Sequence, residues 1–133
     1  MLIRPTCPLC LVPMSMRLSS RSLDGDGLPR RIWACPGVGC DVVCGTHPDG
    51  APLGIPGDLH TRRARQRAHF EFDRYWQSRN LTRQGGYRLL AYLMKKPSER
   101  AHIAWLTRKE CLTLIARLRN LQDSKRILRY LRR

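Results

Sequence analysis

The sequence predicts an α+β chain: a small N-terminal zinc ribbon, built on a β-hairpin or three short strands, followed by a helical region of three to four helices. Three observations predict it. Two cysteine pairs, Cys7-x2-Cys10 and Cys35-x4-Cys40, flank a hairpin pattern. After Gly57 the apolar spacing changes from alternation to helical periodicity, and Thr107 to Glu110 form a capping box ahead of a further apolar stripe. The boundary therefore falls between a ribbon at residues 1–57 and a basic helical region at 58–133.

In the ribbon, "VPMSMRLSS" alternates Met14, Met16 and Leu18 with polar residues, and "DGDG" at 24–27 has turn chemistry. "RRIWACP" returns as a second strand, and Asp41-Val42-Val43 adds a third. Strands this thin bury little area, so folding energy must come from elsewhere, and zinc held by four thiolates supplies it directly. Cys7 and Cys10 form a tight knuckle; Cys35 and Cys40 make the second, with Pro36 and two glycines in the turn. Cys44 and His47, the latter beside Pro48 in "THPDG", compete for the last position and are not excluded by spacing. A closed four-ligand site is structural, because catalysis needs an open coordination position.

In the helical region, Asp58 caps a first helix running to about Ser78, with Thr61, Ala64, Ala68, Phe72 and Tyr75 on its core stripe. Arg63, Arg67, Phe70 and Arg74 share the opposite side. Thr82 opens a second helix through "GGYRLLAYLMKK", weakened at Gly85 and Gly86 and ended by Pro97. "AHIAWL" reads as a short apolar linker, and the capping box starts a third helix on which Cys111 joins Leu114, Ile115 and Leu118 as a small core residue. The apolar phase then breaks, placing a turn at "NLQD" and a new start near Asp123 or Ser124. In that last segment Ile127, Leu128, Tyr130 and Leu131 occupy one half of the wheel, and Lys125, Arg126, Arg129, Arg132 and Arg133 the other.

A formal charge of +15 on 133 residues implies an acidic partner that relieves self-repulsion. Nucleic acid, DNA or RNA, fits the excess of arginine. Its expected contacts are Arg63, Arg67, Phe70 and Arg74 on the first helix and the five cations from Lys125 to Arg133 on the last, with Phe70 stacking. The alternative partner is an acidic surface on a host protein that processes nucleic acid. Enzymatic activity is not expected. His47, His60, His69 and His102 are scattered, HExxH, phosphate-binding-loop and nucleophile-elbow motifs are lacking, and the best pair is His69 with Asp73 one turn on. No apolar run approaches the roughly 18 residues of a membrane span, and "MLIRPTCPLCLVPM" lacks a signal-peptide core. Cytoplasmic location with reduced cysteines is the resulting expectation.

The order "CPLC", a tryptophan strand into "WACP", "THPDGAPLG", "RRARQRAHFEFDRYW", "GGYRLLAYL" and "AHIAWLTRKECLTLI" resembles the phage and bacterial family called the zinc-finger-containing domain. The second cysteine pair is wider than that family's usual knuckle, and Thr-Leu-Ala does not follow Pro-Leu-Gly. The resemblance implies the ribbon, a zinc ion and a phage setting, and no settled activity.

Overall fold

The computed structural model describes residues 4–19, 30–121 and 125–132. The predicted turn at 24–27, the second half of the "NLQD" turn with the expected helix start at Asp123 or Ser124, and Arg133 lie outside the described residues. Two compact units divide within the first helix, Met1–Thr61 and Arg62–Arg133.

The first unit holds a three-stranded antiparallel sheet of β1 (Ser15–Leu18), β2 (Arg31–Ala34) and β3 (Val43–Gly45), in the order β1-β2-β3. Met16 pairs with Trp33, and Trp33 with Cys44. Strand alternation sends Trp33 to one face, where it packs with Cys7, Met14, Cys35, Val42 and Cys44, and sends Ile32 and Ala34 to the other, against Val43. The third strand lies later than the sequence suggests. Asp41 is occupied elsewhere, its Oδ2 accepting the Leu59 N–H at 3.1 Å, while the Val42 carbonyl accepts from Cys35 N at 3.0 Å.

The helices are α1 (Leu59–Ser78), α2 (Arg83–Met94), α3 (Arg108–Asn120) and α4 (Lys125–Leu131). Asp58 Oδ1 caps α1 by accepting from Thr61 N at 2.8 Å, and Ala64, Ala68, Phe72 and Tyr75 are buried along it, while Thr61, expected on the same stripe, is only half-buried in the first turn. Thr82 Oγ1 caps α2 through Gly85 N at 3.0 Å. That helix stops at Met94, ahead of Pro97, because Lys95 turns left-handed at φ 53° and its N–H bonds back to Ala91 and Tyr92 carbonyls. The "AHIAWL" linker is more than a tether: Ala101, Ile103 and Leu106 are fully buried, and Ile103–Trp105 form a 3-10 turn. In α3 both halves of the capping box are made, Thr107 N to Glu110 Oε1 at 3.0 Å and Glu110 N to Thr107 Oγ1 at 3.1 Å.

Gly85 and Gly86 weaken the start of α2 for a packing reason. A Cβ at Gly85 would lie 2.3 Å from the Leu131 carbonyl oxygen, and one at Gly86 would lie 3.3 Å from the Trp76 ring. The two glycines are therefore the points at which the end of α4 and the indole of α1 approach α2. Leu131 is buried, with Ile127 and Leu128 half-buried against the core. Tyr130 corrects the predicted apolar half: it is 52% exposed, since it lies about 100° round the helix from Leu131. Polar ties fix the remaining elements. Arg65 Nε donates to the Leu106 carbonyl at 2.9 Å, Arg117 donates to the Leu93 carbonyl at the end of α2, and Lys96 Nζ pairs with Glu110 Oε2 at 2.7 Å.

Candidate metal centre and basic helix faces

Cys7, Cys10, Cys35 and Cys40 bring their sulfur atoms within 4.8 Å of one another. A tetrahedral zinc with Zn–S bonds near 2.3 Å requires sulfurs about 3.8 Å apart. Cys7 Sγ and Cys40 Sγ stand at 3.7 Å, so the donor set fits the ion. Local chain geometry makes the convergence possible. In the first knuckle Cys7 N donates to the Val12 carbonyl and Leu11 N to the Cys7 carbonyl, both at 2.9 Å, which forces Leu11 into the left-handed region at φ 60°. The wider second pair closes through its two extra residues. Cys40 N donates to the Gly37 carbonyl at 3.1 Å across a turn whose third residue, Gly39, has φ 75°, the conformation glycine adopts without strain.

Backbone donors also reach the sulfurs, Cys10 N to Cys7 Sγ at 3.4 Å and Gly37 N to Cys35 Sγ at 3.3 Å, and favour thiolate over thiol. Burial opposes ionisation of Cys7, yet the N–H groups of Cys10 and Leu9 and the neighbouring thiols bring it down to about 7. Cys10 is pushed up to about 12, first by the thiols of Cys40 and Cys35. Four sulfurs this close cannot all ionise unless a cation offsets their charge, which is what a divalent ion with thiolate ligands provides.

The rival ligands are placed elsewhere. The Cys44 thiol is buried and donates to the Gly54 carbonyl at 3.4 Å. His47 is exposed in a turn closed by Gly50 N to the His47 carbonyl, and the same turn is anchored by Trp33 Nε1 to the Gly50 carbonyl at 2.9 Å. "THPDG" is thus a structural loop hung from the tryptophan strand. One of the two glycines expected in the second turn also serves the site by its lack of a side chain. A Cβ at Gly37 would come 3.2 Å from Cys10 Sγ and 3.3 Å from Cys35 Sγ, so this glycine leaves the sulfurs their space. Its position inside the Cys-Pro-Gly knuckle was the available signal.

On α1, Arg63, Arg67 and Arg74 are exposed in one row, and Phe70 among them is 65% exposed. On α4, Lys125, Arg126, Arg129 and Arg132 are exposed as well. Arg132 also has a structural tie, its Nη2 donating to the Arg79 carbonyl at 3.2 Å, and the Arg79 guanidinium in turn lies 3.6 Å over the Tyr75 ring. Arg126 lines a cavity of about 550 Å³ with Tyr92 and Tyr130. His60 and His69 are exposed, His102 meets Tyr87 edge to face, and Asp73 Oδ1 accepts Trp76 Nε1 at 2.9 Å. Among the described residues no helix is long and apolar enough to cross a membrane.

No curated protein and no solved structure matches the chain. A family model described as a zinc-finger-containing domain matches residues 4–121, a span that takes in both cysteine knuckles and the first three helices. With four thiols converging to within 4.8 Å of one another inside that span, the chain belongs to the zinc-finger-containing domain family.

Proposed function

We propose that this chain binds nucleic acid through the arginine rows of its helices, with the zinc ribbon acting as a metal-stapled scaffold. Zinc closed by four thiolates has no open position, so its contribution is folding energy rather than Lewis acidity. The observation that carries the reading is the row Arg63, Arg67, Phe70 and Arg74, all exposed on one side of α1. Its outer arginines are separated by about 16 Å of helix, a length over which several phosphates of a strand can be met. An aromatic ring exposed among guanidinium groups offers a flat face on which a nucleobase can stack while the cations hold the adjoining phosphates. The charge of +15 supplies the long-range attraction.

Contacts of this kind go to the backbone, so sequence preference is weak and salt dependence strong. The test is a binding titration of the zinc-loaded chain against duplex DNA, single-stranded DNA, RNA and heparin at two salt concentrations. Tighter binding to a nucleic acid than to heparin of equal charge supports the reading. Equal binding to all, or none, favours an acidic protein surface as the partner.

A further inference from the structure

The helical unit holds a cavity of about 420 Å³ between α1, the first turn of α2 and the 3-10 turn at Ile103–Trp105. That volume is within the range of small-molecule sites, roughly 300–1,000 Å³. Its walls are aromatic: Phe72 is buried, Trp76 is half-buried, and Tyr87 and His102 stand edge to face with centroids 5.6 Å apart. Its charged and polar groups are His69, Asp73 and Arg83, besides the Tyr87 hydroxyl and the His102 imidazole.

The walls are preorganised. Trp76 is held by its Nε1–H bond to Asp73, and the missing Cβ of Gly86 lets the indole lie against α2. One hydrogen bond from an indole leaves most of the lone-pair capacity of the Asp73 carboxylate for a ligand. Arg83, exposed at the start of α2, brings a guanidinium to the same cavity.

We infer that this cavity takes a single unstacked nucleobase, flat between the aromatic walls, with an amino group donating to Asp73 and the attached phosphate on Arg83. Flat π surfaces select a planar ligand, a carboxylate selects one whose edge carries N–H donors, and the guanidinium selects an attached anion. A nucleotide unites the three. The ligand class rests on the nucleic-acid reading above, but the cavity lies on another side of α1. His69, Asp73 and Trp76 fall roughly a third of a turn round the helix from the Arg63–Arg74 row. The two can therefore fail separately. The bases that carry an exocyclic amine, cytosine, adenine and guanine, are preferred over thymine, by analogy with carboxylate recognition of the cytosine amino group.

The experiment is a titration of the zinc-loaded full chain with dCMP, dAMP, dTMP and ribose 5-phosphate, read by amide shifts of residues 69–104, with duplex DNA titrated in parallel. The expected result is saturable binding of dCMP and dAMP, with dTMP about tenfold weaker and ribose 5-phosphate without effect. In the exposed-site variant Arg83→Gln, dCMP binding falls about tenfold. Asp73→Asn brings dTMP level with dCMP. Duplex binding without any nucleotide binding overturns the cavity inference and leaves the proposed function standing. Nucleotide binding without duplex or single-strand binding does the reverse. Ribose 5-phosphate binding as tightly as dCMP, or dTMP matching dCMP in the wild type, overturns base recognition in the cavity.

Discussion

The two units of this chain reach stability by different routes. In the ribbon, the larger buried cluster is Cys7, Met14, Trp33, Cys35, Val42 and Cys44, and two of its six members are metal ligands. The helical unit buries a continuous cluster drawn from all four helices and the linker, with Ala68, Leu89, Leu106, Cys111 and Leu114 fully enclosed. Hydrophobic stabilisation scales with apolar area removed from water, so the second unit folds on its own side chains. The first lacks that area and depends on an ion, as small modules generally do. The same division separates the chemistry: the four clustered thiols lie in one unit, and the candidate nucleic-acid groups lie in the other.

The sharpest way to break this contrast is to remove a ligand. Cys7→Ser or Cys40→Ser is expected to abolish zinc binding and unfold the ribbon, forfeiting of order 10 kcal/mol of metal-linked folding energy. Elemental analysis should fall from one zinc per chain to none, while Cys44→Ser keeps the ion. Retention in Cys40→Ser with loss in Cys44→Ser would reassign the fourth ligand. A smaller effect in the other unit is expected from Gly85→Ala. Alanine gains about 1 kcal/mol over glycine in a helix, but its Cβ would stand 2.3 Å from the Leu131 backbone oxygen, which cannot rotate away. Overpacking of this kind costs about 1–3 kcal/mol, so α4 should be displaced and thermal stability reduced, with zinc content unchanged.

Smaller again is Thr107→Ala, which removes one arm of the capping box and costs about 1 kcal/mol, read by thermal melting of the helical unit. The smallest effect concerns pH. Burial tends to raise the Glu110 pKa, but the Lys96 ammonium and the Thr107 N–H outweigh it and hold the carboxyl below its usual range. A depressed folded pKa contributes stability above the ordinary glutamate value and loses it as pH falls through the folded value. Because both side chains are partly exposed, that contribution is at most about 1 kcal/mol. It should shrink on the acid limb of the stability curve in Lys96→Met, with the part due to the Thr107 N–H retained.

Local chemistry is what could be read directly from the residues. The Asp58 cap, the Thr107–Glu110 box and the stripe Ala64, Ala68, Phe72 and Tyr75 each depend on neighbours within one or two turns, and each is present as expected. The first cysteine knuckle was legible for the same reason. The choice of Cys40 over Cys44 was not, because it turns on whether the four residues between Cys35 and Cys40 can close a turn at Gly39 and on a carbonyl at Gly54 that occupies the Cys44 thiol. Lys95 ends α2 in a conformation that its side chain does not announce. Gly85 and Gly86 look like weaknesses until α4 and Trp76 are placed against them. The candidate cavity could not be anticipated at all, since its walls come from three segments that meet only in the folded unit.

The contrast between the units is tested most directly by amide hydrogen exchange on the chain before and after zinc is withdrawn by a chelator. Loss of protection at Cys35 and Val43, with Leu89, Leu90 and Leu114 still slow, is the result this account predicts. Protection lost together in both units, or kept in both without the metal, would contradict it.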